Sequence, residues 1–107
     1  MRSMTAAEQA IADKIQSDAV RGLSLAGRSG DRVYVIINGD GSYGYVSGPE
    51  KHQLGTPRRM RKVFAIRQGV RDGCAHGGFG WAESFAEAVA KLEDWCTMQP
   101  YCVAKGG

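Results

Sequence analysis

The stretch that decides the fold is RVYVIINGDGSYGYV, residues 32–46. Its first part, residues 32–37, holds five β-forming residues in a row and is apolar at odd and even positions alike. This pattern indicates a strand that is covered on both faces and lies centrally in a sheet. Residues 38–41 read Asn-Gly-Asp-Gly, which contains two strong hairpin signals. The sequence therefore predicts that the chain reverses into a second strand over residues 42–46, which Gly48-Pro49 end.

A third strand is predicted from Arg61 to Arg67, after a basic loop over residues 50–60. Alternation places Lys62, Phe64 and Ile66 on one face of this strand. The other face carries Arg61, Val63, Ala65 and Arg67, and we expect it to meet water and to be cationic. A glycine-rich segment follows, with a short fourth strand expected at residues 79–81.

Helices are predicted at both ends of the chain. Thr5-Ala6-Ala7-Glu8 is a capping box, an apolar stripe with spacings of four follows it, and Gly22 is a natural stop for the helix. We expect this helix at the edge of the fold. Ser84-Phe85-Ala86-Glu87 is a second capping box, followed by one continuous apolar face. Phe85 and Trp95 on that face are predicted to be core residues that hold the closing helix on the sheet.

The fold class that follows is α+β. We expect an antiparallel sheet of three to four strands, flanked by an N-terminal and a C-terminal helix in the order α-β-β-β-(β)-α. A chain of 107 residues with 43% hydrophobic composition predicts a single domain, residues 1–107, with one core. Residues 1–3 and 103–107 are expected to be flexible ends.

Location and redox state follow from composition. No run approaches the roughly 18 apolar residues of a membrane span, and the N-terminus lacks the apolar core of a signal peptide. We therefore expect a cytoplasmic protein without membrane contact. The cysteine count is three, an odd number, which favours free thiols in a reducing compartment.

Charge is the strongest functional signal. Seven of the 14 basic residues fall within residues 51–71, which contain no Asp or Glu, so the net charge of +3 conceals a polarised molecule. Tyr43 and Tyr45, two residues apart on a strand, are predicted to stack on bases or to anchor a protein partner; the alternative is that both rings cover the core. The candidate binding residues are Arg58, Arg59, Arg61, Lys62, Arg67, Tyr43 and Tyr45.

We therefore expect a small non-enzymatic binding protein, an accessory or inhibitory factor of the kind that phages and mobile elements encode. Its basic face is expected to bind nucleic acid or a nucleic-acid-handling protein. The first alternative is a protein-interaction module that acts through an acidic partner surface or by homodimerisation. The second alternative is a nucleotide or small-molecule binder at the glycine turn of residues 39–44.

Three catalytic or ligand-binding patterns fail on context. Residues 39–44 match G-x-G-x-x-G, but a strand is predicted after them instead of the helix whose amides meet a pyrophosphate. Cys74, His76, Cys96 and Cys102 lack the paired spacing of a structural zinc site. Cys74 with a nearby histidine lacks a third residue to orient the base. We expect no enzymatic activity, no cofactor and no metal.

Two resemblances accompany this interpretation. A hairpin that runs into Ser84-Phe85-Ala86-Glu87-Ala88 is similar to the strand-strand-helix ending of integrase arm-binding domains. The α-β-β-β-α order resembles a double-stranded-RNA-binding domain. The last helix opens with acids where that domain uses a lysine cluster, so we assign neither family.

Overall fold

The architecture is an α+β domain, as the sequence predicts. The computed structural model describes residues 3–25, 32–39, 41–54, 57, 59–69, 76–98 and 103–105. Its elements are α1 (Ala6–Leu25), β1 (Arg32–Ile37), β2 (Tyr43–Leu54), β3 (Arg59–Gly69), β4 (His76–Ala82), α2 (Phe85–Thr97) and β5 (Val103–Lys105). The strands form one antiparallel sheet in the order β4-β3-β2-β1-β5. Neither helix in the described ranges is long and apolar enough to cross a membrane.

The hairpin between β1 and β2 forms where the sequence predicts it. Asn38 N donates to Ser42 O at 2.8 Å, and Gly41 N donates to Asn38 O at 3.0 Å. Gly41 has a φ of 90°, a conformation that residues with a Cβ rarely adopt. The two strands then pair from residues 32–37 to residues 43–48.

β1 is covered on both faces, as its composition indicates. Val33, Val35 and Ile37 pack beneath α1, and Ile36 lies in the opposite layer beneath α2. We call these two sides of the sheet the α1 face and the α2 face. β1 is interior to the sheet, because β2 and β5 pair with it on either side.

α1 covers a face of the sheet, although the sequence places it at an edge. Ala12 and Ile15 are buried in the core against β1. The predicted capping box is confirmed: Thr5 N donates to Glu8 Oε1 at 2.9 Å, and Glu8 N donates to Thr5 Oγ1 at 3.2 Å. The helix does not end at Gly22 but continues to Leu25. One glycine in a helix costs only about 1 kcal/mol, which the packing of the helix can offset.

α2 packs across the other face. Ser84 Oγ accepts from Glu87 N at 3.1 Å, which confirms the predicted start of this helix. Leu92 is buried in the layer between α2 and the sheet, and Phe85 and Trp95 are partly buried at its margin. The predicted contact of both aromatic residues with this layer is therefore confirmed, whereas neither is fully buried as predicted for a core residue.

Gly44 allows the close approach of α2 to β2. A Cβ added at this position would lie 2.6 Å from Leu92 Cδ1 and 3.0 Å from Trp95 Cζ3. Because a separation below 3 Å is far inside van der Waals contact, any larger residue would force the Leu92 side chain or the helix itself to shift. The helix position thus depends on this glycine.

β2 is longer than the sequence predicts. It does not end at Gly48-Pro49 but continues to Leu54, with irregular pairing to β3 between Ser47 and Glu50. Proline lacks the amide hydrogen that regular pairing needs, and a bulge accommodates it. Residues 50–60, which the sequence assigns to a basic loop, therefore include the ends of two paired strands.

The sequence places residues 103–107 in a flexible end, whereas Val103–Lys105 form β5 and pair with β1. Val103 is buried beside α1. Lys105 Nζ forms an ion pair with the Asp13 carboxylate, and their hydrogen bond lowers the pKa of Asp13. A strand this short carries too little alternation to be detected from sequence.

The expectation of free cysteines is wrong at Cys96, which forms a disulfide whose partner lies outside the described residues. An odd number of cysteines does not exclude one pair, and the buried face of a helix accepts a disulfide as readily as a thiol. The cysteine argument for a reducing compartment therefore loses its basis.

Candidate nucleic-acid interface

β2 and β3 extend beyond the rest of the sheet as a two-stranded ribbon. Among the described residues, β1 pairs with β2 up to Gly48, and β4 pairs with β3 from Phe64 onward. Past these points the two strands pair with each other, from Lys51 opposite Lys62 to Leu54 opposite Arg59. We call residues 51–54 and 59–62 the ribbon; at about 3.4 Å per residue it is roughly 10 Å long.

The ribbon concentrates positive charge in exposed positions. Lys51, Arg59, Arg61 and Lys62 are all exposed, and the ribbon contains no Asp or Glu. Among the described residues, no carboxylate forms an ion pair with Lys51, Arg59 or Lys62. These three charges are therefore available to a ligand.

Lys51 and Lys62 lie directly opposite each other in the β2–β3 ladder. Side chains in such a pair lie on the same face with Cβ atoms about 4.5–5.5 Å apart, and like charges there destabilise the sheet. The fold gains nothing from this arrangement. A polyanion between the two ammonium groups would turn the repulsion into an attraction.

The two faces of the ribbon differ in composition. Phe64 and Ile66 belong to the core layer beneath α2, so residues at even positions of β3 belong to the α2 face. The register then gives this face of the ribbon two cross-strand pairs, Lys51 with Lys62 and Gln53 with Met60. Met60 is 59% exposed, so an apolar side chain stands in water beside the cations.

Arg61 lies on the other face of the ribbon and forms an ion pair with Glu83, which follows β4. The two side chains are 44% and 53% exposed. An ion pair this exposed contributes little to stability, between about 0 and 1 kcal/mol. Arg61 can therefore exchange Glu83 for a stronger anion at small cost.

Arg67 is held by a carboxylate within the fold, although the sequence assigns it to a wet cationic face. Its Nη1 and Nη2 donate to Glu50 Oε2 at 2.6 Å and to Glu50 Oε1 at 3.0 Å, and the side chain is only half-buried. These hydrogen bonds raise the pKa of Arg67. Val63 and Ala65 on the same face are buried, so the prediction of a wet face is wrong there. The cause is the unpredicted continuation of β2, which brings Glu50 alongside β3.

Tyr43 and Tyr45 are core residues. Their rings stack with centroids 6.2 Å apart, and the residues are 0% and 7% exposed in the cluster that contains Ala12 and Ile15 of α1. Burial raises the pKa of Tyr45. Neither a base nor a protein partner can reach the rings without displacing α1, so the prediction that they stack on bases or anchor a partner is wrong. The alternative, that both rings cover the core, is what the structure has.

The remaining candidates can be placed briefly. Arg58 lies outside the described residues. The turn at residues 39–44 leads into β2 and not into a helix, and Tyr43 and Gly44 at its end are buried. Cys96 is held in a disulfide and has no free thiolate for zinc. In the described part of the chain, no group of three or more His, Cys, Asp and Glu side chains could hold a metal ion.

Negative charge gathers beside the ribbon, where α2 covers the sheet. A groove of about 710 Å³ lies between β4 and α2, and the carboxylates of Glu83, Glu87 and Asp94 line it together with Lys91. Its net charge disfavours a polyanion, whereas the ribbon attracts one. The two charged surfaces are adjacent, because Glu83 lines the groove and is also the ion-pair partner of Arg61 in the ribbon.

Sequence reasoning missed Lys51, Gln53 and Met60 as site residues, because it placed them in a loop. The available signal was the alternation along β3, which could have been extended back to Met60.

Comparison with protein-family models, with curated proteins and with solved structures finds no match for the chain in any of the three.

Proposed function

We propose that this is a small non-enzymatic binding protein that holds nucleic acid through the ribbon. The observation that carries the proposal is the projection of Lys51, Arg59 and Lys62 from the sheet, without an ion-pair partner among the described residues. Cations that the fold itself does not use are the usual means by which proteins contact phosphate groups.

Two further features support a polyanion as the ligand. The like-charge pair of Lys51 and Lys62 is a cost to folding that a bound phosphate chain removes. The acidic groove between β4 and α2 disfavours contact of a polyanion with that part of the α2 face, which limits the contact to the ribbon beside it. The accessory or inhibitory role expected from the sequence is part of the same proposal.

The salt dependence of binding follows from the number of cations. If three or four ribbon cations each neutralise one phosphate of a duplex, the slope of log K against log salt concentration is about −2.7 to −3.6. Raising salt from about 50 to about 200 mM should then weaken binding by roughly 40- to 150-fold.

The test is a triple variant, Lys51→Gln, Arg59→Gln and Lys62→Gln, titrated with labelled nucleic acid at several salt concentrations. We expect the affinity to fall at least tenfold at low salt and the slope to lose most of its value. The matched control, Lys14→Gln, Arg21→Gln and Lys91→Gln, removes the same charge from exposed positions on the helices. Equal effects of the two triple variants, or salt-independent binding by the parent, would refute the proposal and favour a protein partner.

A further inference from the structure

The outer part of the ribbon carries a pair of side chains that phosphate binding does not use. Gln53 and Met60 are cross-strand partners, and both are exposed. They lie on the α2 face, two residues further from the domain than Lys51 and Lys62, which corresponds to about 7 Å along the ribbon. Going outward from the domain along this face, the two lysines therefore come first, and the amide of Gln53 and the apolar side chain of Met60 follow.

This order matches the cross-section of the major groove of B-form DNA. That groove is about 12 Å wide and about 8.5 Å deep, and it admits a two-stranded β-ribbon. The ribbon is roughly 10 Å long, and only the pair of Leu54 and Arg59 lies further out in it than Gln53 and Met60, so Gln53 and Met60 reach the depth of the base edges before the body of the domain meets the phosphates. Lys51 and Lys62, nearer the body, then lie at the level of the phosphate groups.

The chemistry of the outer pair suits base edges. A glutamine amide can donate to and accept from adenine N6 and N7 at once, and apolar side chains contact the thymine methyl group. The ribbon contains no Phe, Tyr or Trp on which the bases of a single strand would stack. The major groove of duplex RNA is too narrow for side chains to read.

We propose that the ligand of the ribbon is B-form duplex DNA, with Gln53 and Met60 at the base edges of the major groove and Lys51 and Lys62 at the phosphates. This inference rests on the proposed function and adds the class of nucleic acid. It also assigns sequence reading to Gln53 and Met60, in favour of A·T pairs.

The experiment compares the affinity of the parent for duplex DNA, the same DNA as a single strand, and a duplex RNA of equal length. We expect the DNA duplex to bind at least tenfold more tightly than the other two. The double variant Gln53→Ala, Met60→Ala should lose about tenfold in affinity for the DNA duplex, with its salt slope unchanged. The matched control is Gln68→Ala, Met98→Ala, which truncates an exposed glutamine and an exposed methionine outside the ribbon.

A chemical change in the DNA isolates the methionine contact. Replacing thymine by uracil removes the C5-methyl groups and leaves base pairing intact, so it should weaken binding of the parent but not of Met60→Ala. Equal affinity of the parent for single-stranded and duplex DNA, or parent-like binding by the double variant, overturns this inference while the proposed function stands. Failure of the parent to bind any of the three nucleic acids overturns both.

Discussion

Replacing Lys62 by Glu should stabilise the protein and weaken its binding at the same time. Lys62 lies opposite Lys51, and both side chains are exposed. The substitution removes one repulsion and creates one attraction, each at the lower end of the range for cross-strand pairs, so the free energy of unfolding should rise by about 0.5–1 kcal/mol at low salt. For a domain of this size that corresponds to a rise in Tm of about 2–6 °C.

Binding should change in the opposite direction, since the variant loses one phosphate contact and adds a repulsion. We expect the affinity for nucleic acid to fall about tenfold or more at low salt, and the salt slope to become shallower by about 0.9. Thermal unfolding followed by circular dichroism measures the first effect, and fluorescence anisotropy measures the second. At about 1 M salt the gain in Tm should disappear, because the screening length is then only about 3 Å.

The double variant Lys51→Glu, Lys62→Glu is the control that separates the two effects. It restores a like-charge pair, so its Tm should return close to that of the parent, while its affinity should fall below that of either single variant. A lower Tm for Lys62→Glu would show that the two lysines do not repel each other in the folded protein. Parent-like affinity for the double variant would remove the ribbon from the binding site.

Three further substitutions test the parts of the fold that position the ribbon. Glu50→Gln removes the counter-charge of half-buried Arg67 and should lower the free energy of unfolding by about 2–3 kcal/mol. The loss is smaller than for a fully buried pair, because the Arg67 side chain is 30% exposed. A urea midpoint equal to that of the parent would contradict this prediction. Gly44→Ala should lower the free energy of unfolding by about 1–3 kcal/mol, because the new methyl group overpacks against α2. The control Gly80→Ala should change the urea midpoint much less, since its new Cβ would lie 3.9 Å from its nearest neighbour. Equal effects of the two substitutions would argue against the close approach of α2 to β2. Cys96→Ala should lower the free energy of unfolding by about 2–4 kcal/mol, because it removes the disulfide. A reducing agent should lower the Tm of the parent but not that of the variant. A parent Tm that does not change with reductant would exclude a stabilising disulfide.

The elements that the sequence predicts well are those with strong local signals. The capping box at Thr5 and the cap at Ser84 involve residues three apart, and the Asn38-Gly39 turn closes over four residues. Their hydrogen bonds form within a single turn of chain, so the residues involved carry the whole signal. The apolar composition of β1 likewise predicts its two buried faces, because β1 must be covered wherever it lies in the sheet.

The candidate site is only partly predictable for the opposite reason. The positive charge of residues 51–71 is visible in the sequence, but the difference between ion-paired Arg67 and exposed Lys62 is not. It depends on β2 continuing past Gly48-Pro49, which brings Glu50 into register with Val63. A proline normally ends a strand, and here the bulge in β2 opposite β3 allows the strand to continue beyond Pro49.

The sequence by itself determined the class of fold, the ends of the helices, the first hairpin and the polarity of charge, since each depends on neighbouring residues or on composition. Tertiary structure alone decided which cations are free and which are neutralised, because Arg61 meets Glu83 and Arg67 meets Glu50 only through strand pairing. It also decided that Tyr43 and Tyr45 are core residues, because the position of α1 over their face depends on packing between segments distant in the chain.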